Sequence, residues 1–301
     1  MLGTTPISKL YYGNTVVTKA YRGNAVVYSP SAQEYLLDTY GSAEFAYGFR
    51  ELTANRAAFT SIGDTGTQLT GVWTVQVRRS SDNEQKSFRT SEITDGTLLT
   101  WVGAGNNGYV SRWYDQSGNG NHGSQTTTTR QPSLVLSGVL NTENGVPAMR
   151  AAASVDNWLN LTTAPSGDLS FFSSYRAFYP NSLIVRHTGG SAHSAGSRGT
   201  TGTYIYQTNI DTWDDLISHP TDSVITNFEF VGTDQSVHTN NVVVMSRTAS
   251  GTNTCNIGRI LYFRTQGGTE GSMSEFVCYT SNKSADRSGI FTNMNAFYGA
   301  Y

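Results

Sequence analysis

Val72-Trp73-Thr74-Val75-Gln76-Val77-Arg78-Arg79 alternates apolar with polar side chains. Trp73, Val75 and Val77 fall on one side of an extended chain, and Thr74, Gln76 and Arg78 on the other. That period of two belongs to a strand with one buried face. The same pattern extends in both directions. Glu44 to Leu52 sets Phe45, Tyr47 and Phe49 on one face, and Tyr109 to Tyr114 alternates likewise. Ser133–Leu136, Phe171–Tyr179, Leu183–Arg186, Tyr204–Gln207, Val224–Phe230, Val242–Arg247, Asn256–Arg264 and Ser272–Tyr279 read as further strands. Clusters of Gly, Asn, Ser, Asp and Thr separate them at short intervals, the pattern of a sandwich or barrel.

Composition points the same way. The 301 residues include 31 Gly, 17 Tyr and 13 Phe, which favours strands and tight turns over helices. Charged residues are 14% and the formal net charge is −2, so no overall basic field draws in nucleic acid or anionic lipid, and neither partner is expected. Apolar runs such as Val242-Val243-Val244-Met245 are too short to span a membrane, and Met1 to Pro6 has neither the basic nor the apolar region of a secretory signal. Two short helices are expected. Ser31 caps one running to Tyr40, and Ser284, with Asp286 in the first turn, caps a C-terminal helix. Ile290, Met294, Phe297 and Tyr301 form the apolar stripe of that helix. No linker interrupts residues 31–301, which read as one domain. Cys255 and Cys278 read as buried thiols, with a disulfide open to them if their strands are neighbours.

Before that domain lies a duplication. Ile7 to Val17 is followed by Thr18 to Tyr28, and Lys9, Tyr11, Gly13 and Asn14 recur ten residues later as Lys19, Tyr21, Gly23 and Asn24. Each copy reads strand, Gly-Asn turn, strand, so residues 1–30 form a small β-meander. A segment of this size cannot bury a core of its own and is expected to pack on a partner protein.

Three stretches carry a family resemblance: Val77 to Asn83, Arg112-Trp113-Tyr114-Asp115-Gln116-Ser117-Gly118-Asn119-Gly120-Asn121-His122, and Gly271 to Phe276. In this order they resemble the catalytic β-sandwich of the α-L-arabinofuranosidase B family, and the concanavalin-type and laminin-G-like modules of phage and bacterial surface proteins. The resemblance implies an all-β fold: a concanavalin-A-like jelly-roll sandwich with a C-terminal helix, preceded by the meander as an anchor. The N-terminal repeats resemble attachment segments of tailed-phage structural proteins. That implies a virion location, other virion proteins as partners through residues 1–30, a homo-oligomer, and a lectin-like domain facing cell-surface glycan.

The family's chemistry needs two carboxyl groups about 5 Å apart. The resemblance puts the nucleophile in Ile210–Asp215, which holds no Glu, and the acid near Arg264, which cannot donate a proton at neutral pH. No catalytic residue is therefore assigned, and the reading leans away from an enzyme; its alternative is an arabinofuranosidase-type hydrolase. Asp211, Trp213, Asp214 and Asp215 are instead candidates for sugar contact, a ring face for C–H groups beside carboxylates for hydroxyls, set against a plain acidic loop. Asp115, Ser117, Asn119 and Asn121 place oxygens at alternate positions, as a Ca²⁺ loop does. Their competing reading is a tight Gly-bearing loop in which Asp115 and Asn119 bond backbone groups and Trp113 enters the core. No other cofactor is expected. Gly103 to Gly108 matches G-x-G-x-x-G, but a strand follows where a dinucleotide site needs a helix.

Overall fold

A computed structural model describes residues 34–41, 43–54, 72–151, 157–177, 183–186, 193–198, 202–207, 222–248, 255–263 and 271–301, with the backbone of four short strands between residues 10 and 28. The architecture is two antiparallel sheets and a helix, in three layers. The helix-backed sheet runs in the order Val242–Thr248, Asp234–Thr239, Val224–Val231, Leu169–Ala177, Gly271–Tyr279, Phe45–Gly48. The outer sheet runs Gln85–Arg89, Trp73–Arg79, Gly108–Trp113, Gly123–Ser124, Asn157–Leu161, Arg259–Phe263, Leu183–Arg186, His193–Arg198, Gly202–Gln207. Ser133–Leu136 and Met149–Ala151 turn the corner between them, pairing with Gly108–Trp113 on one side and Gly271–Tyr279 on the other.

Alternation fills the space between the sheets. Phe45, Tyr47 and Phe49 meet Val75, Val77, Val110 and Trp113, and Phe171, Phe228 and Phe276 close the layer. Their rings lie in offset stacks: Tyr47 on Trp113 at 5.3 Å, Phe45 on Phe276 at 5.8 Å, and Phe171 on Phe228 at 5.0 Å. Bulges break strict alternation in several strands, two of which shape the core. In Gly271–Tyr279, Ser274 is the extra residue, so Met273 and Phe276 both reach the inter-sheet core while Glu275, Val277 and Tyr279 turn to the other face. In Trp73–Arg79 the register shifts between Trp73 and Val75, and Trp73, expected beside Val75 and Val77, is only half-buried, under the Arg89 guanidinium at 4.4 Å.

The other face of the helix-backed sheet carries Ala46, Phe172, Ile225, Val277 and Tyr279, against the C-terminal helix Arg287–Tyr298. The helix exists as expected, but its stripe is rotated. Ile290, Phe291, Met294 and Tyr298 are buried, Phe297 is half-buried and Tyr301 is 52% exposed. Gly299, at φ 55°, ends the helix before Tyr301 can extend the stripe. Its N-cap is Asp286, two residues later than expected. Of the first expected helix, Leu36–Tyr40 is helical.

Cys278 is buried between the sheets. Its strand and that of Cys255, which pairs with Ser166–Gly167, share no described ladder. In the N-terminal segment, Leu10–Tyr12 pairs with Thr15–Val17 and Ala20–Arg22 with Ala25–Tyr28, so each repeat is a self-paired hairpin. The helix packing yields a prediction. Phe291→Ala, which strips a ring set edge-on against Phe172 at 5.9 Å, lowers unfolding free energy by about 3–5 kcal/mol in urea melts, and Phe297→Ala by clearly less.

Candidate functional site

The Trp113–His122 loop is built around one carboxylate. Trp113 enters the core at the end of its strand, and Gly118 and Gly120, at φ 93° and 74°, let the chain reverse. Asp115, buried inside the turn, accepts hydrogen bonds from Ala46 N–H (2.8 Å) and Ser117 N–H (2.9 Å) on Oδ1. Its Oδ2 accepts from the Ser117 hydroxyl (2.8 Å) and Asn121 N–H (3.0 Å). Burial raises the Asp115 carboxyl above its usual value, and these donors oppose the shift. Asn119 donates to the carbonyls of Ala43 and Glu44, and the Asn121 amide pairs with Thr163 in both directions. Gln116 donates to the carbonyls of Gly48 and Arg50 and accepts from Leu52 N–H. The loop thus clamps the Phe45–Gly48 edge of the helix-backed sheet. Of the four oxygen-bearing side chains, Asp115 and Ser117 bond each other while Asn119 and Asn121 bond backbone groups, and among the described residues no group of three His, Cys, Asp or Glu is placed to hold a metal.

The second polar centre was invisible in the sequence. Glu275 is fully buried on the helix side of its strand. Arg50 grips it at 2.6 and 3.0 Å, Tyr298 donates to it at 2.7 Å, and Arg50 also reaches Asn293 on the helix at 2.7 Å. Burial alone would lower Arg50; Glu275 outweighs it and holds the guanidinium charged. Burial and the Glu275 charge push the Tyr298 phenol well above its usual value, so it remains the donor. Both oxygens of this carboxylate accept from protein donors, which is the environment of a structural ion pair.

A polar groove of about 430 Å³ opens at the far edge of the same sheet, lined by Glu229, Asp234, Gln235, Ser236, Ser246 and Asn282 among others. Arg287, the first residue of the helix, pairs with Glu229 and donates to Asn227, and Ser170 and Ser236 also donate to Glu229. The groove therefore presents oriented carboxylate, amide and hydroxyl groups, the equipment for holding a sugar's hydroxyls. Nearby His238 is buried opposite Asn227; burial, then the Arg287 charge, lower its imidazole to about 4.

Asp211, Trp213, Asp214, Asp215 and Arg264 lie outside the described residues. So do Lys9, Gly13, Asn14, Lys19, Gly23 and Asn24, while Tyr11 and Tyr21 are placed by backbone alone, each within its hairpin.

No protein-family model matches this chain, and no curated protein matches it. Solved structures do. A GH54 α-L-arabinofuranosidase soaked with a cyclic sulfate inhibitor aligns with a TM-score of 0.56 at 16% identity, covering 87% of this chain and 64% of that one. An arabinofuranosidase complexed with arabinofuranosyl-α-1,2-xylobiose aligns with a TM-score of 0.56 at 14% identity over the same shares. The likeness is one of fold. This chain is a β-sandwich of the jelly-roll kind, and it spans just under two thirds of the length of those enzymes.

Two predictions follow from the polar centres. Asp115→Ala leaves buried N–H groups of Ala46, Ser117 and Asn121 without their acceptor, at about 1–3 kcal/mol each, so its thermal midpoint falls steeply; added Ca²⁺ leaves the wild-type midpoint unchanged. For His238, the unfolded chain takes up a proton below about pH 6.5. The folded chain does so only at about 4. Stability therefore falls as pH drops through that window, and His238→Gln flattens the slope in urea melts taken from pH 7 to pH 4.

Proposed function

We propose that this chain is a virion-surface protein, attached through residues 1–30 and presenting a sandwich that binds glycan. One observation carries the reading: the ten-residue duplication coincides with two self-paired hairpins, joined to neither sheet by any described ladder. Such hairpins bury too little apolar surface to persist alone, and a partner surface is the natural cover for them. Support for the glycan role is the groove beside Glu229, where hydroxyl, amide and carboxylate groups converge on a jelly-roll sheet. The particle would supply the partner proteins and the multiplicity, and the sandwich the contact with cell-surface sugar.

The test compares the whole chain with residues 31–301. The shorter protein is expected to keep a β-rich circular dichroism spectrum and its glycan-array profile, yet fail to join the particle or the oligomer. Normal incorporation of the shorter protein would remove the attachment role.

The likeness in fold to arabinofuranosidases favours a second reading, a glycoside hydrolase. Against it stand the lack of a Glu in Ile210–Asp215 and an arginine, Arg264, at the acid's expected place. Incubation with an aryl arabinofuranoside is expected to release no more product than buffer. Turnover abolished by Asp211→Asn with Asp214→Asn would instead establish the hydrolase.

A further inference from the structure

The outer sheet has a second polar surface, on the side away from the core. Cross-strand partners share a face. The ladder lines up Ser87, Gln76, Arg112, Ser124, Asn160 and Arg259 across six strands, and continues at backbone position Arg186. Each of the six neighbours an inward residue such as Val77, Trp113, Leu159 or Ile260, so the row faces outward, and all six are half-buried. The row contains arginines and no carboxylate. Arg112 and Arg259 stand three strands apart, about 14 Å at the usual strand spacing.

Flanking side chains reinforce this charge. Trp158, anchored by its indole N–H on the Asn160 side-chain oxygen at 3.0 Å, carries the Arg130 guanidinium at 4.3 Å and that of Arg259 at 4.6 Å. Arg130 is exposed, and the ring is its one described side-chain contact. Arg78 is held over Tyr109 at 4.8 Å by neutral partners, Gln131, Asn83 and the Thr128 carbonyl. Arg112 lies by the Tyr114 ring at 5.9 Å, next to His122, whose imidazole is lowered by burial and then by the Arg112 charge. Among the described residues, none of Arg78, Arg112 and Arg130 has a carboxylate partner. On the outer sheet Asp82 and Glu84 are paired with Arg79 at the hairpin end of the Trp73–Arg79 strand, away from the row, and Glu229, Glu275 and Asp286 lie on the helix-backed side.

We propose that this outer face is a binding surface for an acidic polysaccharide, the guanidiniums taking uronate carboxylates and the neighbouring Gln76, Ser124 and Asn160 taking ring hydroxyls. Guanidinium and carboxylate match as forks, and charge-assisted bonds are the strong ones. Hydroxyl-bonding groups between the arginines, and a net charge of −2 over the chain, favour a sugar polymer over a nucleic acid. The row is long enough for several sugar rings. This inference rests on the glycan-binding reading and adds a second site of opposite charge to the groove at Glu229.

The experiment is calorimetric titration of the whole chain at low ionic strength with polygalacturonate, with neutral arabinan, and with a single-stranded DNA of matched charge. The wild type is expected to bind polygalacturonate more tightly than DNA. Arg112→Gln with Arg130→Gln weakens polygalacturonate binding by about tenfold or more and leaves any arabinan binding unchanged. Arg130→Gln alone, at an exposed site, gives part of that loss, and thermal melts confirm that both variants fold. Equal affinity in wild type and double variant overturns the proposal, as does DNA binding at least as tight. Arabinan bound without polygalacturonate overturns this inference and leaves the glycan reading standing; neither polymer bound overturns both.

Discussion

A carboxylate taken wholly out of water must be neutralised and hydrogen-bonded in place, and Glu275 meets that demand by recruiting three parts of the chain. Arg50 follows the Phe45–Gly48 strand, Glu275 sits mid-strand in Gly271–Tyr279, and Tyr298 ends the C-terminal helix. Asn293 adds a second helix contact to Arg50. The helix cannot slide along the sheet without stranding a charge, so this node sets the register of the third layer. The Ser274 bulge is what turns Glu275 toward the helix while Met273 and Phe276 stay between the sheets.

The Asp115 loop does related work on the sheet's edge. Its carboxylate and the neighbouring Gln116 amide bond the backbone of Ala46, Gly48, Arg50 and Leu52. Arg50 is thereby delivered to Glu275, and Tyr47, whose hydroxyl donates to the Asn121 carbonyl, is fixed against Trp113. The Asp115–Asn121 string thus does folding work at the sheet's edge. Asp115 and Glu275 are both hydrogen-bonded into the joints of the sandwich.

Much of the fold was legible because its cause is local. Alternation in Phe45–Phe49 and Val75–Val77 reports one buried face, whereas a bulge at Ser111 sets Val110 and Trp113 on the same side, and the Gly-rich turns report the spacing of strands. Strands such as Gln85–Arg89 and Asp234–Thr239 escaped notice because their apolar residues are few. Bulges at Thr74 and Ser274 shift the period by one residue, which no alternation count registers. Tyr301 leaves the helix stripe because Gly299 ends the helix before it, and Tyr298 holds the buried place one turn after Met294. The site was less legible still. Arg50 and Glu275 are 225 positions apart, and charged residues read from sequence as surface ones. The arginine row is assembled from six strands, each giving one residue, so it has no linear motif.

The structural role of Glu275 is the claim on which the rest turns, and a double-mutant cycle tests it most directly. Arg50→Met and Glu275→Leu are each expected to lose about 3–5 kcal/mol of unfolding free energy, because each leaves the other charge buried alone. The double variant should lose much less than the sum, since no unpaired charge remains. Single variants within about 0.5 kcal/mol of wild type, the range of ordinary surface changes, would contradict the account.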